Sequence, residues 1–176
     1  MQPDTQGLPA PRSSGPGANP AMQFLRFSVG SEAYAVRIEG VREILEVTQI
    51  TPVPLMPGFM RGVMNLRGVV VPVVDLAVRL GFAATEVGKR TCVVVVHMHG
   101  AEGRQQTLGM LVDAVQEVFK STENDLEPVP RLGTSIAPGF IRSMVRVRGQ
   151  ITVELALDQL VGQQTLAELI GADMCQ

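Results

Sequence analysis

Short apolar segments separated by turn residues run along this chain, and the first of them show the period-two alternation of half-buried β-strands. FLRFSV at 24–29 is followed by a turn at Gly30 and Ser31. In AYAVRIE, Tyr34, Val36 and Ile38 then alternate with Ala35, Arg37 and Glu39. In VREIL the rhythm changes, because Val41, Ile44 and Leu45 take the i, i+3, i+4 spacing of one helical face and predict a short helical turn. Pro52, Pro54 and Pro57 make TPVPLMPG a rigid extended connector, since each removes a backbone donor and fixes φ. GVMNLRGVVVPVVDL then predicts a hairpin turning at Asn65–Gly68, with Pro72 implying an edge strand or a bulge. Further strands are predicted in TCVVVVHM, QTLGMLVD, VQEVF, IRSMVRV and ITVELAL, and LDQLVGQQTLAELIGA has the Leu, Ala and Glu content of a helix.

The chain repeats itself. Residues 34–41 (YAVRIEGV) lie on 108–115 (LGMLVDAV), and VREIL then lies on VQEVF, so Glu43 corresponds to Glu117. TPVP corresponds to EPVP, Pro57, Gly58 and Phe59 to Pro138, Gly139 and Phe140, and Arg67 and Gly68 to Arg148 and Gly149. Strand-and-turn rhythm alone would not align the prolines, so we read a duplication. Units of about 70–80 residues bury a limited fraction of their surface alone and are expected to share an apolar seam. The expected fold is mainly β: two similar small barrels, with a groove between them suited to binding.

Composition narrows the function. The 176 residues are 45% hydrophobic and 4% aromatic with no Trp, which leaves an aliphatic core and few rings on which nucleic-acid bases could stack. With 15 Lys and Arg against 17 Asp and Glu, no positive field gathers phosphates, and no nucleic-acid partner is expected. Residues 1–20 hold five Pro, three Gly and two Ser without apolar period, and are expected to form a disordered tail. No apolar run approaches the roughly 18–20 residues that span a bilayer, so we expect no direct membrane insertion. Cys92 and Cys175 fit neither a disulfide framework nor a zinc site, and a cytoplasmic protein is expected.

Candidate chemistry is sparse. His97 and His99 share one strand face, but no Cys or acidic cluster completes a metal site, and no metal or cofactor is expected. A small hydrolase using Asp75 or Asp113 is a remote alternative, capping and turn roles being favoured for both carboxylates. Met56, Met60 and Met64 recur every four residues, yet the prolines exclude a continuous helix, and gap filling in the core is their favoured role.

The segments FLRFSVGSEAYAVRIEGVREIL, ITPVP, PGFMRGVMNLRGVVVPVVDLAVRLG and LGMLVDAVQEV resemble the CheW family of chemotaxis coupling proteins over residues 24–161, most specifically from Gly62 to Leu76. The resemblance implies a CheW-like domain over 21–161 made of two intertwined five-stranded SH3-like β-barrel subdomains, with the repeat at about 34–80 and 108–161. Short helices would include a C-terminal one, with 162–176 as helix or tail. It implies a non-catalytic adaptor, not an enzyme, that joins chemoreceptor cytoplasmic tips to the regulatory domain of the histidine kinase CheA, within a ring or array associated with membrane receptors. An adaptor for a non-flagellar array serving pili, biofilm or gene expression is the near alternative. Receptor contact is carried over to Val41, Glu43, Ile44, Asn65, Leu66, Arg67 and Gly68. Val41, Ile44 and Leu66 are expected to line a groove for an amphipathic helix, and Glu43 to pair with Arg67. Kinase contact is expected at Pro54, Met56, Pro57, Phe59, Pro138 and Phe140. The second half departs from the family pattern in following Phe140 and Ile141 with Arg142, Ser143 and Met144, not with a glycine. Arg142, Arg146 and Arg148 are expected there as solvated charges.

Overall fold

The computed structural model describes residues 20–99, 103, 105–129 and 136–160. Nearly all of the expected tail and most of the expected C-terminal helix lie outside them. Eleven strands form two sheets: β1 (Met22–Val29), β2 (Glu32–Arg37), β3 (Val41–Glu46), β4 (Met60–Leu66), β5 (Val69–Asp75), β6 (Cys92–His99), β7 (Gln105–Val112), β8 (Ala114–Ser121), β9 (Leu126–Glu127), β10 (Ile141–Val147) and β11 (Gln150–Leu155). Two one-turn helices, α1 (Leu76–Arg79) and α2 (Leu157–Leu160), follow β5 and β11.

The six-stranded sheet runs β8-β1-β2-β11-β10-β9 and the five-stranded sheet β3-β6-β7-β5-β4. Replacing each strand of the five-stranded sheet by its repeat counterpart (β3 by β8, β6 by β1, β7 by β2, β5 by β11, β4 by β10) reproduces the order of the six-stranded sheet without β9. Each sheet therefore takes strands from both halves of the chain. The parallel pairs β2–β11 and β5–β7 are two of the seams at which the halves interlock. The match extends to single pairs: Glu43 faces Val95 beside a bulge in one sheet, and Glu117 faces Arg26 beside a bulge in the other.

Among the described residues, three apolar clusters form the core. The largest lies between the sheets and joins Leu25, Phe27, Val29, Tyr34 and Val36 to Val74, Val94, Val96, Met110 and Val112. Each sheet also encloses a smaller cluster on its other face. Met64, Val71, Val73, Val93, Val95 and Leu111 form one, and Phe24, Ala35, Phe119 and Val145 the other. The continuous run of β6 follows, since alternate valines serve different clusters and both faces are buried. Met60 and Met64 are buried as core filling, in different clusters, because a bulge after Met60 turns the strand over.

One local expectation is corrected outright, and of the two alternatives for Pro72 the edge strand gives way while the bulge is present, in β4 opposite Val73 and Val74. VREIL is strand β3, not helix: a bulge between Val41 and Glu43 puts Val41 and Ile44 on one face although they are three residues apart. The bulge thus mimics helical spacing. Pro72 lies in β5, an internal strand, opposite Val63. Val63 spends its N–H and C=O on Thr51, at 2.8 Å each. The Val63–Pro72 pair therefore needs no donor from the proline.

Candidate functional site

The β4–β5 turn is built by its own residues. Arg67 (φ 51°) and Gly68 (φ 85°) are both left-handed, as the hairpin turn that matches strand twist requires. Asn65 Oδ1 accepts the Gly68 N–H at 2.8 Å. From this turn the Arg67 guanidinium donates twice to the Glu43 carboxylate, at 2.9 and 2.7 Å, tying the hairpin to β3 across the sheet. The hydrogen bonds from Arg67 hold the Glu43 carboxyl below its ordinary value, against a smaller opposing effect of burial, and the same contact raises the Arg67 pKa. A fork-to-fork pair fixes orientation as well as distance.

Beside the turn lies uncovered apolar surface. Ile44 pairs with Val94, Val94 with Met110 and Met110 with Val74, so all four point to the face that makes the inter-sheet core. Val70 has the same orientation, four residues from Val74 along β5. Ile44 and Val70 are nevertheless 42% and 46% exposed, and Val69 is 60% exposed. The core-forming face thus continues beyond the cover of the other sheet.

Of the expected receptor residues, the structure joins Glu43 with Arg67, Asn65 with Gly68, and Val41 with Ile44 on one face. Leu66 does not share that face: it packs on the cluster enclosed by the five-stranded sheet, with Leu45, Val47 and Ile50. The expected kinase residues do not form one apolar patch. Pro54 and Pro138 are exposed, and Pro57 is half-buried. Met56, Phe59 and Phe140 are half-buried against the central core. Phe59 and Phe140 come together around Arg79, whose guanidinium carbon lies 4.7 and 4.8 Å from their ring centres and whose Nε donates to the Leu160 carbonyl. Leu55, left-handed at φ 64° between Pro54 and Met56, is fully exposed.

Both candidate carboxylates have structural work. Buried Asp75 caps α1 through the amides of Ala77 and Val78, accepts from Thr85 N and Oγ1 at 3.0 and 2.9 Å, and accepts from Arg61 at 3.0 Å. Asp113 accepts the Gly30 N–H at 2.6 Å and holds the β1–β2 turn. His97 Nδ1 lies 3.4 Å from Thr107 Oγ1. No group of three or more His, Cys, Asp or Glu among the described residues could hold a metal ion.

Sequence reasoning missed a second turn of the same construction. Arg148 (φ 50°) and Gly149 (φ 79°) repeat the left-handed pair, and Arg148 approaches Glu117 at 2.9 Å. Val118 and Ile151, counterparts of Ile44 and Val70, are each 51% exposed. The repeat held the signal, having already matched Glu43 with Glu117 and Arg67 with Arg148. Nor are the second-half arginines merely solvated, for Arg146 pairs with Glu127 at 2.7 Å and Arg142 lies 3.8 Å from Glu154.

Known proteins resemble this chain in sequence and in fold. The sequence profile of the CheW-like domain matches residues 23–165. Chemotaxis protein CheW of Rhizobium meliloti is 33% identical over 142 residues, covering 81% of this chain and 88% of that protein. Protein FrzA of Myxococcus xanthus is 33% identical over 132 residues, covering 75% and 79%. The crystal structure of the scaffolding protein TtCheW from Thermoanaerobacter tengcongensis superposes with a TM-score of 0.71 at 31% identity, covering 80% of this chain and 92% of that one. A match over most of the chain in sequence and in fold shows that this chain belongs to the CheW family.

Proposed function

We propose that this protein is a cytoplasmic adaptor that couples the tips of chemoreceptors to a CheA-type histidine kinase within receptor arrays. It is not an enzyme, its family being one of non-catalytic scaffolds. The observation that carries the proposal is the uncovered apolar face at Ile44 and Val70, next to a turn held rigid by the Arg67–Glu43 fork. Apolar side chains on a preformed frame suit the apolar stripe of a helix, the form a helical receptor tip presents. In this reading Val41 and Ile44 supply apolar contact, while Glu43, Arg67, Asn65 and Gly68 hold the frame. Leu55, with Pro54 and Met56, is the apolar projection available to the kinase. A coupled receptor then shifts the kinase between active and inactive populations.

Reconstituted kinase autophosphorylation, with receptor and with or without this protein, tests the proposal. Wild type should make kinase activity depend on receptor, and Ile44→Asp should remove that dependence while the protein stays folded. Equal activity with wild type, variant and no adaptor, across the candidate receptor and kinase pairs, would sink it. The similarity to FrzA, a protein not named for chemotaxis, supports a second reading in which the same coupling serves a related, non-flagellar pathway.

A further inference from the structure

A cavity of about 470 Å³ opens where the ends of β2 and β6 meet β10, β11 and α2. Its floor includes Glu154, 1% exposed. That carboxylate accepts from Arg37 Nε at 2.7 Å and from Ser143 Oγ at 2.5 Å. Glu154 is therefore already engaged, and Arg142, also lining the cavity, reaches it only at 3.8 Å. Among the described residues Arg142 makes no hydrogen bond through its guanidinium. Glu39 and Asp158 line the same space, are exposed, and form no ion pair among the described residues. The imidazoles of His97 and His99 complete this wall.

The other half of the molecule shows what Arg142 lacks. Its repeat counterpart is Arg61, which donates to Asp75 Oδ2 and to the Thr85 carbonyl, at 3.0 Å each. The counterpart of Asp75 is Ala156, which lines the cavity. At the related place, then, Arg142 stands beside Ala156 where Arg61 has Asp75, and its nearest carboxylate, Glu154, stays at 3.8 Å.

We infer that this cavity binds a small zwitterion of the α-amino-carboxylate class. The ligand carboxylate takes the place beside Arg142 that the Asp75 carboxylate holds beside Arg61, and its ammonium group lies toward Glu39 and Asp158. Charge complementarity selects this class. A simple anion would face two open carboxylates, a simple cation would face Arg142, and a molecule carrying both charges satisfies both walls. The volume lies in the range of small-ligand sites, about 300–1,000 Å³. The inference does not depend on the coupling role, since it concerns another part of the molecule.

The test is a titration of the full chain with the standard α-amino acids, one at a time, followed by amide and side-chain NMR shifts. Acetate and butylammonium serve as single-charge controls. At least one amino acid should give saturable shifts at His97, Gly40 and the Arg142 Nε–H, with both controls at least about tenfold weaker. Arg142→Ala and Asp158→Asn, both at exposed positions, should each weaken binding about tenfold. Absence of saturable shifts at about 10 mM ligand, or acetate binding as tightly as the amino acid, would overturn the assignment. So would binding that both variants leave intact.

Discussion

Apart from β9 the two sheets have the same strand order, and they share bulges and the turn pair, yet their interiors differ at matched positions. Where the five-stranded sheet encloses Leu111, Val73, Val71 and Gly62, the six-stranded sheet carries Arg37, Glu154, Thr152 and Ser143. One interior is packed with Val, Leu and Met side chains. The other holds an Arg37–Glu154–Ser143 string, with a fully buried Thr152 hydroxyl that has no partner among the described residues. One strand frame thus tolerates either interior, so the frame does not depend on the chemistry inside it. What polar groups add is dependence on one another, because a buried charge is tolerable only while its partner remains.

Importing one interior into the other measures that dependence, and the largest effect should come from Glu154→Val. It strands the Arg37 guanidinium and the Ser143 hydroxyl, and should cost about 3–5 kcal/mol in urea unfolding. Adding Arg37→Leu completes the aliphatic interior of the other sheet and should recover most of that loss, since paired replacement of a buried ion pair is often neutral. A double variant as unstable as the single one would show that the string is required for packing and not merely tolerated.

Next in size is the exchange at the bulge of β4. Gly62 has φ 144°, and a Cβ placed there would lie 2.2 Å from the Thr51 carbonyl oxygen, which is backbone and cannot swing aside. Gly62→Ser should therefore cost about 3 kcal/mol or more, at or above the top of the ordinary overpacking range because backbone must be displaced. The reverse exchange, Ser143→Gly, removes one hydrogen bond to Glu154 and should cost about 1–2 kcal/mol by the same unfolding measurement. Equal losses from the two exchanges would break the claim that only the first half needs a close backbone approach.

How much of this was legible follows the range of the interactions. Hairpins and turns are local, so the turn at Asn65–Gly68 and the alternation of β2 are legible directly. The error at VREIL was local too, because a bulge imitates a helical interval. Its repeat partner VQEVF reads as strand, and the repeat carries that state over to VREIL. Arg37 and Glu154 stand 117 residues apart, and no local pattern announces their contact. The repeat holds a trace of it, since matching the β5 end to the β11 end sets Val73 against Glu154 and Asp75 against Ala156. The side on which Leu66 packs depends on which strands neighbour β4, and so required the fold.

The smallest effect on stability should come from the feature both sheets share. Arg67 and Arg148 have side chains 68% and 73% exposed. Arg67→Ala and Arg148→Ala should accordingly each shift Tm by no more than about one or two degrees, as exposed pairs do. Acid sharpens the comparison for the first pair. The folded-state pKa of Glu43 lies below its ordinary value of 4.5, so the unfolded chain binds the extra proton as the solution is acidified. The contribution of the pair is complete above that ordinary value and disappears as pH falls through the folded one. The stability gap between wild type and Glu43→Gln should therefore narrow between about pH 6 and pH 3, whereas a gap constant across that range would show that the fork does not act through charge. In receptor binding the two turns should part: under the coupling proposal Arg67→Ala weakens the complex and Arg148→Ala leaves it unchanged. Equal weakening by both would instead make the second turn, with Val118 and Ile151 beside it, part of the same receptor contact.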